Sequence, residues 1–82
     1  MTSQNANESE SQQIEAIEKQ IGEFRAQQVQ MAAKVKDLLL REDPARGITF
    51  HEDIFRLQQD KLRVDTEIQF LQVKLRRLAS TW

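Results

Sequence analysis

Two runs of apolar residues at helical spacing, divided by the chain's single proline, leave this sequence few ways to fold. The first run is Ile14, Ile17, Ile21, Phe24, Met31, Val35 and Leu38, with steps of 3, 4, 3, 7, 4 and 3. That is a heptad pattern, in which one stripe of a helix is buried against another helix. The step of seven passes over one polar seam position, Gln28. The second run follows Phe50 and reads Ile54, Leu57, Val64, Ile68, Leu71, Leu75 and Leu78, with Lys61 as its polar position. Between the runs stand Pro44 and Gly47. A residue before proline avoids helical dihedrals, so the first helix should end by Glu42 or Asp43.

The two runs mirror each other about Arg46. Leu38 and Ile54 lie equally far from it, as do Ile14 and Leu78, and every step between them matches. A chain that doubles back at the proline therefore sets Ile14, Ile17, Ile21, Phe24, Gln28, Met31, Val35 and Leu38 against Leu78, Leu75, Leu71, Ile68, Val64, Lys61, Leu57 and Ile54. The expected fold is all-α: an antiparallel two-helix hairpin, coiled-coil-like, associating into a helical bundle. A parallel or continuous-helix assembly is the rival. It would stack Lys61 on Lys61 and must ignore the breaker. In the hairpin, Gln28 and Lys61 fall in adjacent layers, where the amide oxygen can accept from the ammonium. A polar seam residue costs stability and can specify register, one role for this pair; the other reading is that both side chains simply reach solvent at a loosely packed layer.

Residues 1–8 have no large apolar side chain after Met1 and are expected to form a disordered tail. Residues 9–82 form the hairpin, with helix 1 at about 9–42, the loop at about 43–48 and helix 2 at about 49–79. Ser9 with Gln12, and Thr49 with Glu52, have the spacing of capping boxes. Gly22 lies off the seam and should cost about 1 kcal/mol relative to alanine.

At 82 residues the chain is one small domain, and it has no cysteine. With neither disulfide nor Cys/His metal site to hold it, oligomerisation or a partner chain is the remaining common support. Lack of cysteine is compatible with a reducing compartment. No secretory signal and no apolar run of membrane-spanning length is evident, so the chain is expected to be soluble and cytoplasmic, without a membrane span. Residues 1–43 carry eight acids and five bases, and residues 44–82 carry five acids and seven bases. The halves therefore attract weakly when antiparallel.

More apolar side chains exist than one seam can hold. Phe55 and Leu62 occupy heptad position b of helix 2, with Val73 near the same line and Phe70 beside it. Helix 1 adds Val29, Ala32, Ala33, Leu39 and Leu40. An exposed apolar stripe of this kind marks an interface. Val29, Ala32, Ala33, Leu40, Phe55, Leu62, Phe70 and Val73 are the candidate partner-binding residues. The partner is a second copy, a dimer being favoured, or another helical protein.

Catalytic chemistry finds little support. His51 is the one histidine, beside Glu52 and Asp53, and is read as a solvated first-turn residue. Ser3, Ser9, Ser11 and Ser80 lie toward the chain ends. No phosphate-loop or metalloprotease spacing occurs. The expectation is a non-enzymatic protein with no cofactor and no metal: a small subunit, adaptor or chaperone-like component of a larger assembly. The alternative is a nucleic-acid-associated regulator using Arg56, Lys61, Arg63, Lys74, Arg76 and Arg77. It is disfavoured because Phe70 interrupts the c-position run of Arg56, Arg63 and Arg77, and Asp53, Asp60 and Glu67 are interleaved with it. In outline, the order of tail, helix, proline loop and helix resembles small type III secretion proteins, both needle subunits and two-helix co-chaperones. That resemblance implies an assembly component. No needle-subunit motif matches, so no residue role is carried across.

Overall fold

A computed structural model describes the backbone of residues 2–79 and the side chains of residues 9–79. Helix α1 spans Thr2–Arg41, a 3-10 turn spans Pro44–Arg46, and helix α2 spans His51–Ala79. The helices pack antiparallel as a hairpin whose Cα trace is 69 Å long and 14 Å across in both other directions.

Only one interface exists in such a shape, and the sequence period decides what enters it. All sixteen seam positions are buried or half-buried. Only Glu42, Asp43, Phe50, Asp60 and Gln72 join them among the other residues with described side chains. Ile17, Ile21, Val64 and Ile68 form a buried cluster, with Phe24, Met31, Leu71, Leu75 and Leu78 packed on it. Val35 is buried nearer the loop. Each seam residue is covered from one side only, so most remain half-buried.

The breaker acts through the residue before it. Asp43 sits at φ −138°, ψ 85°, outside the helical region, as a residue preceding proline must. Its backbone then pairs with Ile48 in both directions: the Asp43 N–H donates to the Ile48 carbonyl (2.8 Å) and the Ile48 N–H to the Asp43 carbonyl (2.9 Å). The same Asp43 carbonyl accepts from the Arg46 N–H at 3.0 Å. Gly47 closes the turn at φ 74°, where a side chain would be strained.

Two helix starts differ from the capping boxes read in the sequence. α1 begins at Thr2 rather than near Ser9, so Ser9 and Gln12 lie within the helix. No glycine or proline intervenes between Thr2 and Ser9, and extending a formed helix costs far less than nucleating one. The side chains of the expected tail, residues 1–8, lie outside the described residues, as do residues 80–82. α2 begins at His51, with Phe50 at the cap: its carbonyl accepts from the Ile54 N–H at 2.9 Å. The Phe50 N–H donates to Glu42 Oε2 across the loop at 3.0 Å. Thr49 is exposed, and among the described residues neither it nor Glu52 makes a side-chain hydrogen bond there. The carboxylate of Glu42, the residue after α1, serves the cap residue, and the Thr49–Glu52 box does not form. A charged acceptor at a helix start gains from the helix dipole as well as from the bond.

Two consequences are measurable by urea denaturation. Glu42→Ala should lower stability by about 1 kcal/mol, whereas Thr49→Ala should change it by less than about 0.5 kcal/mol. Alanine at the two glycines should act with opposite signs. A Cβ at Gly22 meets nothing within 4 Å, so Gly22→Ala should stabilise by about 1 kcal/mol. Gly47→Ala should destabilise by about 1–2 kcal/mol, because open space does not relieve the positive φ.

Candidate partner-binding surface

What the seam leaves outside is the surface of interest. Phe55, Leu62 and Phe70 are 65%, 62% and 69% exposed, all on α2. Val73 is also exposed. On α1, Val29 and Leu40 are 70% and 76% exposed, and Leu39, Ala32 and Ala33 are exposed too. All eight candidate partner-binding residues thus lie outside the hairpin interface. Ile48 in the loop is a further exposed apolar residue that the periodicity did not single out. Its only signal in the sequence was a β-branched side chain wedged between Gly47 and Thr49, where no helical period applies.

The exposed residues of α2 form a line. Phe55, Leu62, Thr66 and Val73 are separated by 7, 4 and 7 residues, so they recur on one side of a helix. At 3.6 residues per turn that side lies about 180° round from the seam. The line therefore faces away from α1, and a partner placed there would sandwich α2. Ala26, Val29, Ala33 and Leu40 trace a thinner outward line on α1 by the same geometry.

The polar seam pair behaves differently from its expectation. Gln28 and Lys61 are both half-buried, yet no hydrogen bond joins them among the described residues. No buried polar side-chain atom lacks a partner either, so both heads reach water while their stems line the seam. Solvation satisfies the ammonium at less ordering cost than a bond to a flexible amide.

Other polar side chains on α2 are engaged locally. The Thr66 hydroxyl donates to the Leu62 carbonyl at 3.1 Å, and the Gln69 amide donates to Asp65 Oδ2 at 3.4 Å. Arg63 approaches Asp60 at 3.9 Å. On α1 and the loop, Arg41 pairs with Asp37 at 3.2 Å and Arg46 with Asp43 at 3.4 Å. All three pairs are solvent-exposed or nearly so and contribute little to stability. His51, Glu52, Phe55, Arg56, Gln59 and Asp60 line an open depression at the start of α2. Among the described residues, no group of three or more metal-ligating side chains converges, and no helix is long and apolar enough to cross a membrane.

Comparison with protein-family models, curated proteins and solved structures finds no match to this chain.

The seam pair can be tested directly. Combining Gln28→Leu with Lys61→Leu should raise stability by about 1 kcal/mol per site, a fraction of full side-chain burial, and leave a single species by light scattering. A loss of stability, or several oligomeric species, would restore the pair's role in setting alignment.

Proposed function

We propose that this protein is a non-enzymatic interaction module: a small helical subunit, adaptor or chaperone-like component that works by docking another helix. The supporting observation is the line of exposed apolar residues on α2, opposite the buried seam. Burying a Phe or Leu side chain is worth roughly 1.5–3 kcal/mol, so covering the stripe would contribute several kcal/mol to docking. Helix-in-groove and bundle interfaces use such i, i+3, i+4, i+7 anchors. The docked helix comes from a second copy or from a different protein.

A nucleic-acid role is the second reading, motivated by Arg56, Arg63, Arg76 and Arg77 on the outer part of α2. The apolar line running beside them favours a helix, since phosphates give Leu62 and Val73 nothing to pack against.

The docking reading predicts an asymmetry between faces. A photo-crosslinking residue at Leu62 in the full chain should capture a helix of this or another protein in the native cell, while the same group at Lys34 should not. Phe55→Ser with Leu62→Ser should change stability by no more than about 0.5 kcal/mol per site, both positions being exposed, yet abolish that capture. Equal yields at Leu62 and Lys34 would defeat the proposal.

A further inference from the structure

We infer that the outer face of α2 receives an amphipathic helix whose apolar stripe is bordered by aspartate or glutamate. This rests on the docking reading above and narrows its occupant.

The shape of the stripe selects a helix. It is about one side chain wide, is broken at Gln59, and keeps the period of a seam. A helix lying on a membrane presents a broader apolar face than this. The one hydroxyl on the line, that of Thr66, is already bonded to the Leu62 carbonyl and asks nothing of a partner.

Charge then selects which helix. Every residue at the b, c and f positions of α2 up to residue 77 is exposed, and this set holds four arginines and one acid, Glu52 in the first turn. The acids past that turn, Asp60, Asp65 and Glu67, stand at e and g positions bordering the seam. Among the described residues, Arg63 reaches one of them, while Arg56 and Arg76 make no ion pair. All four cations are arginine rather than lysine. Guanidinium is weakly hydrated and grips carboxylate with two parallel bonds, which suits it to an interface from which water is expelled.

A second copy fits poorly. A two-fold contact would lay the same patch on itself, arginine against arginine. The outward side of α1 alternates Glu15, Glu23 and Asp37 with Lys19 and Lys36, and so offers little net negative charge.

The test titrates the full chain with two synthetic helical peptides sharing one leucine stripe, bordered by glutamate in one and by lysine in the other, at two salt concentrations. Fluorescence anisotropy should show the glutamate-bordered peptide binding at least about tenfold tighter, with the gap narrowing at high salt. Arg56→Glu with Arg76→Glu should reverse the preference, and Phe55→Ser with Leu62→Ser should remove both affinities while the circular dichroism stays helical. Equal affinities would overturn the acidic partner and leave docking intact. Failure of both peptides, together with no selective crosslink at Leu62, would overturn both. Tighter binding to duplex DNA or to anionic vesicles than to the acidic peptide would assign the face to that surface instead. A dimer dispersed by Phe55→Ser with Leu62→Ser would assign it to a second copy.

Discussion

Burial of one apolar seam between two antiparallel helices is the interaction on which the rest of this molecule depends. There is no second layer and no sheet for either helix to lean on among the described residues. A helix in water gains most of its stability from packing its apolar face, not from intrinsic propensity. α1 and α2 therefore hold each other folded. The arrangement keeps each seam side chain covered from one direction only, which explains why just five of the described residues are buried outright.

The loop turns that packing into a defined register. Pro44 ends α1 by forcing Asp43 out of the helical region. The paired Asp43 and Ile48 backbones and the left-handed Gly47 then reverse the chain within a few residues. Glu42, the residue after α1, completes the reversal by accepting from the Phe50 N–H at the cap of α2. One side chain thus ties the end of one helix to the start of the other, so any slip of the seam would have to break this bond. Far from the loop, the seam carries two polar positions whose heads are solvated, so alignment there comes from the heptads alone.

A hairpin with a single interface has large outer faces, and here one of them is not polar. The apolar line on α2 points away from α1 and is accompanied by Arg56, Arg63, Arg76 and Arg77. Past its first turn, α2 keeps its acids at the seam borders and its arginines outside, which gives it two chemically different sides. The inner side matches α1 through its apolar seam. The outer side is where the proposed acidic helix would sit.

By itself, the sequence determined the two helices, their division at Pro44 and the hairpin arrangement, because hydrophobic period and backbone stereochemistry are local properties that survive without tertiary context. Helix ends were less legible. The Thr49–Glu52 spacing pointed to a local cap, but the acceptor that holds Phe50 comes from Glu42, eight residues earlier, and only the closed loop brings the two together. The start of α1 passed over Ser9 because a capping residue does not compel a helix to begin when nothing before it forbids one. Gln28 and Lys61 could be placed near each other on paper, yet whether they bond or meet water is a contest between two nearly equal free energies, decided by side-chain packing. The apolar excess of α2 was visible in the sequence. Tertiary structure decided that it lies outside, because a two-helix interface can cover only one stripe of each helix, and the mirror symmetry about Arg46 gives that place to the other stripe.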